Sequence, residues 1–296
     1  MPEATPLRNP SSRRVELPRG RVLELGGRTR VMGIINLTPD SFHGPSRAAG
    51  IEEAVGRALR MVEEGADIID LGGESTRPGS KAVDPEEQKR RLLPVLEALR
   101  GRWDGPLSID TTRAQVARDA WRTGADIIND IGAARLDPEM PALLAQSGLP
   151  VILMHMQGVP ETMQENPRYD DVVAEVGDFL LERARAVEAV GVRRERILID
   201  PGIGFGKRLQ HNLELIARLD AFRGLGYPLV VGASRKSFLG KVLDGEPPAE
   251  LLEASLAVAA LAAAAGVEVV RAHDVRATAR VVKVVAAVAA ARGEGL

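Results

Sequence analysis

Eight short apolar runs in this 296-residue chain each stop on a side chain able to do chemistry: Asn36, Asp70, Asp110, Asn129, His155, Asp200, Ser234 with Lys236, and Arg271 with His273. Any one of these alone is more often a helix cap or a satisfied turn than a functional group. Eight at equivalent places make a set. The carboxylates and amides, with Met154 and Phe205 nearby, suit a flat polar heterocycle that offers ring N–H and amino donors, its guanidine-like edge against Asp200. Lys236, Arg271 and His273 arrive late in the chain and suit an anionic substituent. Asn36 supplies a neutral oxygen for a hard cation such as Mg2+, which takes few protein ligands and fills its shell with phosphate and water.

The elements that must position these residues follow from the spacing. Gly65-Ala-Asp-Ile-Ile-Asp70 returns as Gly124-Ala-Asp-Ile-Ile-Asn129, and each copy reads as a buried strand ending on a polar side chain. Further strands are expected at 30–36, 107–110, 150–154, 196–200, 228–232 and 267–271. Helices are expected between them. Residues 51–64 place apolar side chains at 51, 54, 55, 58, 59 and 62 on one face, and Asp84-Pro85 opens a second helix with a favoured N-cap and first-turn residue. The remaining helices are expected from 113 to 121, 137 to 146, 170 to 190 and 209 to 219, in the stretch up to 265, and on to 291. Residues 15–28 suggest a hairpin around Pro-Arg-Gly that could cap the closed end of the fold. Eight strand and helix alternations predict an α/β protein, a (βα)8 TIM barrel preceded by a β-hairpin, ahead of a doubly wound sheet. In either fold the carboxyl edge of the strands is where ligands bind.

Bulk properties narrow the function class. The length fits one barrel of roughly 250 residues with a terminal extension, so residues 1–14 are expected to be a flexible tail and 15–296 one domain. With 39 basic and 41 acidic residues, the net charge of -2 gives no footprint for nucleic acid or an anionic membrane. The absence of cysteine removes disulfides and thiolate chemistry and fits the cytoplasm. Residues 254–267, the longest apolar run, are too short to span a bilayer, and an aromatic content of 3% argues against base-stacking platforms.

Five motifs together carry a resemblance. Asn36-Leu-Thr-Pro-Asp-Ser-Phe42, Gly72-Gly-Glu-Ser-Thr-Arg-Pro-Gly79, Ile199-Asp-Pro-Gly-Ile-Gly-Phe-Gly-Lys207, Ser234-Arg-Lys-Ser-Phe238 and Arg271-Ala-His-Asp-Val275 resemble, in order, the dihydropteroate synthases of folate biosynthesis, a pterin-binding family and a sulfonamide target. The resemblance covers about 31–282. It implies a transferase that joins 6-hydroxymethyl-7,8-dihydropterin pyrophosphate to 4-aminobenzoate with release of pyrophosphate. It also implies a pterin pocket of Asp110, Asn129, Met154, Asp200, Phe205, Gly232 and Lys236, and a pyrophosphate end of Asn36, Thr76, Arg271 and His273, with Mg2+ on Asn36. Thr76, Arg77 and Pro78 resemble a loop that closes over the reacting carbon. With Phe205 and Ser237 they are expected to hold the aminobenzoate. Asp110, Lys236, Arg271, Thr76 and Arg77 are the catalytic set this implies, in a homodimer.

Several features carry less. Gly202-Ile-Gly-Phe-Gly206 misplaces the third glycine of a dinucleotide loop. His43 and His211 read as surface residues, Lys207 and Lys241 as solvated as readily as functional, and Glu74 as a cap or a ligand. The segment between Phe42 and Ile51 is short for the family's first mobile loop. A corrinoid-dependent methyltransferase would share the acid and amide pocket, but would not need the Ser-Arg-Lys-Ser or Thr-Arg-Pro segments. A Schiff-base aldolase would use Lys236, and a non-catalytic paralogue would have lost Arg271, Lys236 or Arg77.

Overall fold

The computed structural model describes residues 12–37, 47–75, 79–80 and 82–291. Eight parallel strands form the barrel: β3 (Arg30–Asn36), β4 (Ile68–Gly72), β5 (Leu107–Asp110), β6 (Ile127–Asp130), β7 (Val151–Met154), β8 (Ile197–Asp200), β9 (Val230–Val231) and β10 (Val269–Ala272), after the hairpin β1 (Arg13–Glu16) and β2 (Val22–Leu25). Hydrogen bonding runs in the order β8-β7-β6-β5-β4-β3-β10-β9, and a parallel bridge from Ile199 to Leu229 joins the two ends. The expected barrel with its hairpin is therefore present. β9 is only two residues long, preceded by Leu229, which joins β8 through the isolated bridge to Ile199.

The connecting helices are α1 (Arg47–Glu63), α2 (Pro85–Arg100), α3 (Ala114–Thr123), α4 (Met140–Ser147), α5 (Val172–Ala189), α6 (Leu209–Ala217), α7 (Leu219–Arg223), α8 (Ser237–Val242), α9 (Leu252–Ala264) and α10 (Val275–Ala291). The Asp84 side chain accepts the Glu86 N–H at 2.9 Å, the cap expected there. Asp137 does not open α4 as expected. Its two oxygens accept from Ala114 N (2.8 Å) and Glu139 N (2.9 Å), so it caps α3 from outside, and α4 starts at Met140. Asp70 lies in the middle of β4 rather than at its end, and β1 already begins within the expected tail, at Arg13.

The pleat decides what fills the bore. Met32, Ile68, Ile127, Ile152, Leu198, Val230 and Val269 form one apolar layer with Val15, Leu17, Leu23 and Leu25 of the hairpin segment, all 5% exposed or less. The hairpin thus plugs the amino-terminal end of the barrel. Two residues further along each strand the chain returns to the same inward face, about 6.6 Å higher. Those positions are Ile34, Asp70, Asn129, Met154, Asp200, Gly232 and Arg271, and on β5 the inward residues are Ser108 and Asp110.

An ionic cluster fastens the plug. Fully buried Asp126 accepts from Arg21 of the hairpin, from Arg100 at the end of α2 and, at 2.9 Å, from the first amide of β5, Leu107 N. Removing the carboxylate leaves guanidinium groups uncompensated, which for a buried pair costs about 3–5 kcal/mol. Urea unfolding of Asp126→Ala is expected to show a loss of that order. A variant within about 0.5 kcal/mol of the parent, the range of an ordinary surface change, would show that the plug is held by apolar packing alone.

Candidate active site

The polar layer of the bore is joined by one guanidinium. Arg271 donates from Nε to Asp70 Oδ2 at 2.7 Å and from one terminal nitrogen to Asp110 Oδ2 at 3.0 Å, and the same nitrogen lies 2.6 Å from Asp70 Oδ2. Its other terminal nitrogen has no partner among the described residues. Asn129 Nδ2 donates to Asp70 Oδ2 at 3.2 Å, which commits the amide nitrogen and turns the amide oxygen toward any incoming donor. Asp70 is fully buried, and its Oδ1 has no partner among the described residues.

Desolvation governs the charges here. Burial raises the Asp110 carboxyl to about 7, the Arg271 charge opposes that rise, and Asp70 adds to it. Asp200, 5% exposed, is also raised by burial, against the pull of Lys236, and its Oδ1 accepts the Gly202 N–H at 2.7 Å. Lys236 is lowered to about 8 by burial, with Asp200 pulling the other way. Its ammonium donates to the Ile203 carbonyl and lies 4.4 Å above the Phe205 ring. Asp110, Asp200, Lys236 and Arg271 thus act on one another across a single mouth.

Apolar walls complete the pocket. Met154 and Phe205 cluster with Ile131, Met156 and Met163, which the sequence reading did not single out. Ile131 and Met156 stand two residues beyond Asn129 and Met154, so strand parity was the available signal. Met163 comes from the long loop after β7 and carried none.

At the rim, Asn36 ends β3, and its Oδ1 is 3.5 Å from where a Cβ on Gly72 would stand. Gly232 is likewise backed by the Arg271 side chain. The Ser234 hydroxyl lies 3.1 Å from His273 Nδ1 and accepts the His273 N–H at 3.2 Å, which fixes the imidazole beside the end of β10. Ser237 is exposed at the start of α8. Thr76, Arg77 and Pro78 lie outside the described residues, as do His43 and most of the first loop. The stem of the second loop is well held: Glu74 accepts from Val83 N (2.7 Å) and Gln88 Nε2 (3.0 Å), and buried Gln88 accepts from Thr111 Oγ1 at 3.1 Å. Glu74 is therefore a loop anchor.

Two expectations need correction. His155 does not join the constellation at the mouth. Its ring faces Lys207, Tyr169 and Phe179, and burial lowers its pKa so far that it is neutral. Lys207 is not solvated but 3% exposed, because the loop after β8 folds back over it.

The model of the family described as pterin binding enzyme matches residues 32–273. The dihydropteroate synthase of Synechocystis sp. is 46% identical over 90% of this chain and 93% of its own length. The chain belongs to the dihydropteroate synthase family. Among solved structures, Xanthomonas albilineans dihydropteroate synthase with 4-aminobenzoic acid superimposes with a TM-score of 0.86 at 45% identity, covering 94% of this chain and 98% of that one. The same organism's enzyme in complex with 7,8-dihydropteroate gives 0.82 at 42% identity, covering 93% and 98%. The dihydropteroate synthase motifs seen in the sequence thus stand on a barrel of the family's shape.

The geometry makes Asp110 an unusual acid. Since its folded pKa lies above that of an ordinary aspartate, its contribution favours the folded state at low pH and is lost as pH rises toward about 7. Carboxyl 13C NMR of the ligand-free protein should give a midpoint near 7, and a higher one in Arg271→Met, which removes the opposing charge. A midpoint near 4, the ordinary aspartate value, would mean that water reaches this carboxylate.

Proposed function

We infer that this chain catalyses the condensation of 6-hydroxymethyl-7,8-dihydropterin pyrophosphate with 4-aminobenzoate to 7,8-dihydropteroate and pyrophosphate. The observation that carries the reading is the Arg271 guanidinium, forked between Asp70 and Asp110, with one terminal nitrogen that has no partner among the described residues, at the mouth of an acid- and amide-lined pocket. The heterocycle occupies the pocket: Asp200 takes its amino and ring N–H edge, the Asn129 oxygen takes a further donor, and Phe205, Met154 and Gly232 leave room for the ring face. Lys236 donates to a ring acceptor from its seat over Phe205.

The diphosphate lies toward the rim, where His273 and the Arg271 nitrogen that has no partner among the described residues bind its oxygens without breaking the Asp70 pair, and Thr76 takes the same role by resemblance. Among the described residues no group of three or more His, Cys, Asp or Glu side chains could hold a metal. Asn36, with a neutral oxygen at the end of β3 that suits Mg2+, would hold the cation together with the diphosphate. When bound, Mg2+ would supply positive charge to the departing diphosphate.

The reaction breaks the bond from the pterin methylene carbon to oxygen and forms one from that carbon to the arylamine nitrogen. The dihydropterin is electron-rich, so a dissociative path is open in which the ring carries positive charge as diphosphate leaves. Ionised Asp110 stabilises that charge, while Arg271 stabilises the leaving anion. Ser237 and Arg77 hold the carboxylate of 4-aminobenzoate, and Thr76 and Pro78 cover the reacting carbon. The arylamine is neutral at pH 7, and the anilinium it becomes is acidic enough to lose its proton without a dedicated base.

The family resemblance also supports a cytoplasmic homodimer. Leu261 of α9 and Val284 and Val288 of α10 are 56%, 63% and 44% exposed on helices packed against each other, which suits an apolar contact between copies. No described helix is long and apolar enough to cross a membrane.

The reading is tested by pyrophosphate release. Release is expected to require both substrates and Mg2+. Arg271→Ala should lower kcat by about 10²-fold or more, and Ser237→Ala should raise KM for 4-aminobenzoate about tenfold with a smaller change in kcat. Borohydride with a carbonyl substrate is expected to leave Lys236 unmodified. Release that ignores 4-aminobenzoate would end the assignment.

A further inference from the structure

Lys207 had no role in the motif that contains it, yet it is among the most buried charged residues of the chain at 3% exposure. Its Nζ lies 2.9 Å from His155 Nδ1, 2.9 Å from the Gly202 carbonyl and 3.0 Å from the Phe205 carbonyl. The His155 carbonyl lies further off at 3.5 Å, so the amino group is ringed by acceptors, with the neutral His155 ring presenting its Nδ1 lone pair.

Those contacts belong to a wider pattern. The carbonyls of five consecutive residues, Gly202 to Gly206, are each claimed by a side-chain donor: Lys207 takes Gly202 and Phe205, Lys236 takes Ile203, Gln164 takes Gly204 at 2.8 Å, and Tyr169 takes Gly206 at 2.9 Å. The loop also lies backbone against backbone on the strand beside it. A Cβ at Gly202, where φ is +66°, would overlap the His155 carbonyl. Lys207 therefore ties the turn to the end of β7 from beneath, while Lys236 rests on the same turn from the mouth. Phe205, whose ring lies under Lys236, has its carbonyl held by Lys207.

We propose that Lys207 is a positioning residue for the heterocycle: its buried amino group clamps the Gly202–Phe205 turn to the His155 segment and so sets where the Phe205 ring and the Lys236 ammonium meet the substrate. It touches no substrate itself. This rests on the pterin reading of the pocket given above. The consequence falls mainly on the pterin end, because the turn carries the Phe205 ring and seats the Lys236 ammonium, whereas Ser237 and Arg77, given above to the aminobenzoate carboxylate, belong to other segments.

The test uses Lys207→Met in the full-length chain, which keeps the aliphatic stem and removes the hydrogen bonds of the amino group. KM for the pterin pyrophosphate and the calorimetric Kd of 6-hydroxymethylpterin are each expected to rise about tenfold, with KM for 4-aminobenzoate at saturating pterin within about twofold of the parent. Asp126→Ala, destabilised at the far end of the barrel, separates positioning from stability. It should lower the unfolding midpoint without moving the pterin KM. If Lys207→Met is not recovered folded, His155→Phe keeps a ring against Phe179 and removes the Nδ1 acceptor, and is read the same way, with an expected rise of about threefold. Pterin KM and Kd unchanged in the folded variant, or a parallel rise in both substrates' KM, would overturn the proposal. A parent protein that binds 6-hydroxymethylpterin but does not turn over would instead count against the reaction assigned above.

Discussion

A parallel strand turns every second side chain the same way, and a closed barrel points one of the two sets into a single bore. Here that constraint stacks two layers of opposite character. The lower is apolar and sealed by the hairpin, from Met32 through Val269. The upper, one pleat higher, holds Asp70, Asn129, Asp200 and Arg271. The polar layer therefore rests on a dry floor. Water reaches it only from the mouth, which is why burial dominates the shifts of Asp110, Asp200 and Lys236.

Such a site holds charges that would be costly elsewhere and makes them useful. The Arg271 guanidinium offsets two carboxylates whose strands are neighbours in the sheet, and Asp70 also orients the Asn129 amide. Preorganisation of this kind suits a reaction in which opposite charges separate at one carbon, because the compensating groups are in place before the bond breaks.

The loop after β8 shows how a flexible sequence is made rigid. Glycines at 202, 204 and 206 have φ of +66°, +84° and +59°, which lets the backbone press against β7 and against Lys236. Their conformational freedom is removed again by the side-chain donors that hold the loop's carbonyls. The two lysines act on one short turn from opposite sides.

The strands, the outer helices and the hairpin were legible in the sequence because a doubly buried strand reads as an unbroken apolar run and an amphipathic helix repeats every 3.6 residues. Asp110, Asn129, Asp200 and Arg271 were legible for the same reason, each being a polar residue that ends such a run. Pairing was not. That Arg271 spans from the last strand to Asp70 and Asp110, 201 and 161 residues away, depends on the closure of the barrel, which no local pattern encodes. His155 and Lys207 show the same limit. Both looked placed for the mouth or for solvent, but the fold-back of the glycine loop turns them toward each other beneath it. Local physics of the chain determined which side chains would stand at strand ends, while contacts between distant segments decided which would share a charge, a cavity or a proton.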